Sequence, residues 1–155
     1  MQARTPGERS LRARLSWVLA VLTFAFTARA IAVDEASLSH ADRQAIRRVI
    51  EQQLSAFKRK DGATAFSFAA PAIQQLFGTP ESFMLMVSQN YPPIYRPRSH
   101  TFGELELVAG EWTQRVTVVS EDGTAVDAFY LMARQDDGSW RILGCLLVPV
   151  KKTVV

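Results

Sequence analysis

The chain has 155 residues, 48% hydrophobic and 21% charged, with a formal net charge of +3 and one cysteine, Cys145, so no intrachain disulfide can form and stability has to come from packing. Five of the 18 Lys and Arg residues and one of the 15 acids precede Ile31, which leaves 13 basic against 14 acidic residues beyond it and a net charge near −1. Nucleic-acid binding needs a basic footprint, and the chain beyond Ile31 has none as a whole, which excludes that partner class.

The first segment reads as an address. Arg4, Arg9, Arg12 and Arg14 precede an apolar run from Trp17 to Thr27, followed by Ala28-Arg29-Ala30 and Ala30-Ile31-Ala32. A basic region, an apolar run of about 7–15 residues and small residues at the cleavage point make a secretory signal. The run is shorter than the roughly 20 apolar residues that span a bilayer. The expectation is a signal peptide over 1–32, cut after Ala30 or Ala32, and a single α+β domain over 33–155. That domain would be periplasmic or secreted, with no stable membrane span after cleavage.

Ser39 and Asp42 have the spacing of a capping box, with an acid variant at the third helical position. Behind them Ile46, Val49, Ile50, Leu54 and Phe57 recur at helical spacing, and Lys58-Arg59-Lys60 suits the negative end of the helix dipole. Gly62 is the expected left-handed stop. A small helix over Ala63–Ala70 carries Phe66, and Pro71 opens a turn through Ile73, Leu76 and Phe77 that Gly78 closes. Thr79-Pro80-Glu81 is a cap, a first-position proline and a first-turn acid for a helix with Phe83, Met84, Met86 and Val87. Tyr91-Pro92-Pro93 ends it.

From His100 the period changes to two. Strands are expected over Phe102–Val108, Trp112–Ser120, Ala125–Arg134 and Trp140–Val148, joined by Ala109-Gly110, Glu121-Asp122-Gly123 and Asp136-Asp137-Gly138. Helices first and strands afterwards predict an α+β fold: N-terminal helices packed on a curved antiparallel four-stranded meander, the cone type. That architecture hosts both enzymes and binding domains.

Two stretches carry a more particular likeness. One runs from Ala56-Phe57-Lys58-Arg59-Lys60-Asp61-Gly62 through Phe77-Gly78 to Tyr91-Pro92-Pro93-Ile94-Tyr95-Arg96-Pro97-Arg98; the other is Asp137-Gly138-Ser139-Trp140-Arg141-Ile142-Leu143-Gly144-Cys145. Together they resemble the bacterial domain-of-unknown-function family 4864. The resemblance implies an exported location and a cone-type fold like that of nuclear transport factor 2 and SnoaL-like proteins. It implies no activity.

The candidate ligand-binding residues are Tyr91, Tyr95, Arg96, Arg98, His100, Tyr130 and Arg141. Arg96 and Arg98 are two apart, so in an extended segment they share a side and could grip a carboxylate or phosphate. Glu104 and Glu106 alternate with leucines, the pattern of a solvated face. Asp127 and Tyr130 bring an acid and a phenol to one strand, but their odd spacing places them on opposite faces. Cys145 is expected as a small buried hydrophobe, on one strand face with Arg141 four residues away. Trp112 and Trp140 are expected as core anchors, and Met84, Met86 and Met132 as gap-fillers. Two histidines without metal-ligand spacing support no metal site, and no cofactor motif occurs.

These residues lead to an exported domain that binds a small polar or anionic ligand, or a protein partner, without transforming it. A homodimer is compatible with this. The alternative is a cone-fold enzyme of isomerase, dehydratase or hydrolase type with a central pocket.

Overall fold

Ser39 starts the first helix, α1 (His40–Lys58), by staying extended itself at φ −61° and ψ 159°. Its hydroxyl oxygen accepts the Asp42 amide at 3.0 Å, and its proton goes to Asp42 Oδ2 at 2.6 Å. The other carboxylate oxygen, Oδ1, accepts the Trp140 indole N–H at 3.0 Å and lies 3.8 Å from the Arg134 guanidinium. One aspartate thus holds the Ser39 cap of the first helix and ties that helix to a hairpin almost a hundred residues away. The computed structural model describes residues 38–150. The expected signal peptide and both of its cleavage points lie outside them.

The end of α1 departs from expectation. The left-handed residue is Lys60, at φ +58°, and not Gly62. The Lys60 N–H donates to Phe57 O and the Asp61 N–H to Ala56 O, both at 2.9 Å, which is the Schellman pattern. The reversal has to finish by Asp61, because Asp61 is already the cap of α2 (Gly62–Ser67) and accepts the Thr64 amide at 3.1 Å. Gly62 is needed for a different reason: a Cβ there would lie 2.8 Å from Met84 Cγ.

Helix α2 is shorter than the expected 63–70 because Phe68–Ala70 leaves it to pair with the last strand. α3 (Pro71–Phe77) ends at Gly78, φ +73°, and α4 (Pro80–Asn90) is capped by the Thr79 hydroxyl, which accepts the Ser82 amide at 3.2 Å. The prolines end α4 as expected, yet Pro92 and Pro93 then open one further turn, α5 (Pro92–Tyr95). First-turn positions need no amide donor, so prolines suit them.

The sheet is a four-stranded antiparallel meander in the order β1 (Pro97–Val108), β2 (Glu111–Ser120), β3 (Ala125–Arg134), β4 (Trp140–Pro149). Ala109 and Gly110 both have positive φ, 51° and 88°, as a two-residue hairpin turn of primed type requires. The two Asp-Gly loops each place their glycine in the left-handed region, at Gly123 and Gly138. The register slips at Arg98, again between Phe102 and Leu105, and on β4 between Ile142 and Gly144. At the second slip the Gln114 amide donates to Gly103 O at 3.0 Å and Glu104 O at 3.1 Å. A buried side chain there satisfies carbonyls that the broken ladder releases.

The helices cover one face only. Val116, Val118, Ala128, Tyr130, Met132 and Ile142 point into it and meet Ile46, Ile50, Leu54 and Phe57 from α1. This is the expected α+β arrangement, N-terminal helices packed on a four-stranded antiparallel meander. No helix among the described residues is long and apolar enough to cross a membrane.

Asp42 yields a test. Its hydrogen bonds to the Ser39 hydroxyl and then to the Trp140 indole, with Arg134 nearby, hold its carboxyl below the usual aspartate value. A depressed folded-state value means the contribution is complete above the unfolded value of about 4 and is lost as pH falls through the folded one. Asp42→Ala is expected to cost about 2–3 kcal/mol in urea denaturation at pH 7, the size of charge-assisted bonds to a buried partner. The gap to the parent should narrow below about pH 4. Equal stability at pH 7 would show the tie to be idle.

Candidate functional site

A cavity of about 220 Å³ lies between α3, α4 and the inner face of β3 and β4. Its helical wall is aromatic. Phe83 is surrounded by Phe66, Phe77 and Phe57, with ring centroids 5.3, 5.7 and 6.0 Å away. Each such pair adds about 0.5–1.5 kcal/mol beyond burial. Tyr130, Ile142 and Cys145 form the sheet wall. Ile73 and Phe77 of α3 close the top, while Leu76, 73% exposed, stands at the mouth.

β4 sets the geometry of that wall. Met132 faces Ile142 and Leu131 faces Gly144, so Leu143 is an extra residue. Ile142 and Cys145 therefore both line the cavity although they are three apart. The same bulge overturns the expected pairing of Arg141 with Cys145. Arg141 is outside, in a polar surface cleft with Gln135, Asp137 and Ser139, and its guanidinium donates to Trp140 O at 3.4 Å. An added residue reverses every later side chain, so a separation of four here means opposite faces.

The polar groups around the cavity are few. The Gln53 amide donates to Ala65 O at 3.1 Å, and the Tyr91 hydroxyl donates to Cys145 O at 3.2 Å. The Tyr130 hydroxyl is buried with no hydrogen-bond partner among the described residues. Burial pushes the Cys145 thiol up to about 12 and the Tyr130 phenol well above its ordinary value. Both groups are neutral at physiological pH, and a thiol so held is a poor nucleophile. No Asp, Glu, His, Lys or Arg lines the cavity.

The structure divides the residues that the sequence brought together. Tyr91 and Tyr130 line the cavity. Tyr95 and Arg96 instead border an outer cleft with Lys58, Lys60 and Glu121. Arg96 caps α5 and Arg98 occupies a register slip near the start of β1; both are exposed and neither lines the cavity. His100 stacks edge-on against Phe102 at 5.5 Å on β1, and the Arg47 guanidinium covers the Phe102 ring at 5.5 Å. Asp127 lies on the outer face, bonded to the Thr117 hydroxyl at 2.6 Å and 3.8 Å from Arg115, so it cannot act with Tyr130. Glu104 shares that outer face with Glu106 and lies 3.9 Å from the same arginine. No cluster of three or more His, Cys, Asp or Glu suited to a metal occurs among the described residues.

The family described as Domain of unknown function (DUF4864) matches residues 39–155. The chain belongs to this family. Its match begins at the Ser39 cap, so it takes in every helix and strand described above. No curated protein matches the chain. A crystal structure of an NTF2-like protein of unknown function from Shewanella baltica OS155 is similar, with 15% identity over 74% of this chain and 100% of that one, and a TM-score of 0.49.

Most of the cavity wall escaped the reading of the sequence, because Phe57, Phe83, Met86 and Val87 carry only the signature of a core. The pattern that could have found it is an excess: α3 and α4 present more large apolar side chains than a four-stranded sheet needs as cover.

Proposed function

We propose that this domain binds one small, mostly apolar molecule in the cavity and does not transform it. The observation that carries this reading is a lining of aliphatic and aromatic side chains without a single ionised group. Catalysis of proton transfer or acyl transfer needs a base, an acid or an activated nucleophile within reach of the substrate. Size supports the same class. An engineered apolar cavity of about 150 Å³ holds benzene, so 220 Å³ suits a molecule of somewhat greater bulk. A charged ligand would lie there without a counter-ion, which is costly. The arginine-held anion expected from the sequence therefore has no place in this cavity.

Burial of about 200 Å² of ligand surface contributes about 5 kcal/mol, which corresponds to dissociation constants of about 0.1–1 mM. α-Methylstyrene at about ten times its dissociation constant should stabilise the protein by about 1.4 kcal/mol, a few degrees in Tm. It should also slow alkylation of Cys145 further, since that residue lines the site. Cys145→Phe, checked for folding by circular dichroism, should abolish the thermal shift by filling the space. Unchanged melting and unchanged alkylation in the parent would refute the reading.

The proposal also places the domain beyond the cytoplasmic membrane, on the basic and apolar pattern ahead of Ile31. N-terminal sequencing of protein from the periplasm or medium should begin at Ile31 or Val33. Recovery of Met1 in the membrane fraction would contradict it.

A further inference from the structure

We infer that the molecule held in the cavity is neutral and hydrocarbon-rich with one hydrogen-bond acceptor, a ketone or ether oxygen, and that the Tyr130 hydroxyl is the donor that selects it. This rests on the cavity being the ligand site.

Tyr130 is 1% exposed, and its hydroxyl has no partner among the described residues. Leaving a buried hydroxyl without a partner is costly, and such groups are rare in folded proteins. The other hydrogen-bonding side chains around the cavity are engaged: Tyr91 on the Cys145 carbonyl, Gln53 on the Ala65 carbonyl. Tyr130 faces Cys145 directly across the β3–β4 ladder, so its ring stands in the sheet wall. Burial disfavours the phenolate, and the hydroxyl keeps its proton to donate. With no cation in the lining, a carboxylate is selected against.

Three probes of nearly one shape separate the possibilities: α-methylstyrene, acetophenone and benzoate differ at a CH₂, an oxygen and an anionic oxygen. Calorimetry on the protein should show acetophenone binding about tenfold more tightly than α-methylstyrene, the value of one net hydrogen bond. Benzoate should not bind detectably. In Tyr130→Phe the preference should fall to about one while α-methylstyrene binding persists, which also certifies that the cavity is intact. The infrared carbonyl stretch of bound acetophenone should move below its position in hydrocarbon solvent, a readout that needs no variant.

Equal affinity for ketone and alkene in the parent, with an unshifted carbonyl band, would overturn the selection by Tyr130 and leave a purely apolar receptor. The same result is expected if a buried water already satisfies the hydroxyl. Absence of binding by either neutral probe would overturn the ligand-site reading itself.

Discussion

The free edge of β4 is the constraint around which the helical half is arranged. An edge strand presents amide and carbonyl groups that cannot be buried unpaired. Here the chain returns to cover them: the Ile142 N–H donates to Phe68 O at 2.9 Å, and Ile142 O accepts the Ala70 N–H at 2.8 Å. Further along, the Tyr91 hydroxyl takes the Cys145 carbonyl. These contacts cut α2 short, fix where α3 begins, and hold the α4–α5 junction against the sheet. The cavity lies between these two points of attachment, lined by α3 and α4 on one side and by Ile142, Gly144 and Cys145 of β4 on the other.

The bulge at Leu143 and the Asp42 tie serve the same arrangement. The extra residue on β4 turns Cys145 inward beside Tyr130 while Trp140 stays buried at the strand's start. Trp140 then reaches the first turn of α1 through Asp42, so both ends of the domain's sequence meet at one carboxylate. α3 is the element held least. It has no buried residue and no side-chain cap, and Gln74 anchors it through carbonyls of Phe66 and Ala69 at 3.2 and 3.0 Å. Regions with little buried surface open at the lowest free energy. A ligand entering past Leu76 has only this helix to displace.

The elements were largely legible in the sequence. Ser39 and Thr79 as caps, the prolines after Asn90, and the three turns with their glycines are local rules, and local rules suffice for them. What failed was parity. Arg141 and Cys145 were aligned by counting along a regular strand, and the extra residue at Leu143 reverses the count. Bulges depend on cross-strand partners such as Gln114, which one strand's own sequence does not reveal. The cavity was illegible for a related reason: its lining differs from core only by what is missing opposite it.

The central claim is that the space beside Tyr130 and Cys145 is a preformed apolar receptor. The most direct measurement is a high-resolution crystal structure of the protein under xenon pressure. Xenon has no hydrogen-bonding capacity and occupies dry apolar cavities. The account predicts a xenon peak bounded by Phe83, Ile142 and Cys145, with the side chains unmoved. A chain of ordered waters in its place, or Ile73 and Phe77 collapsed into the space, would contradict it.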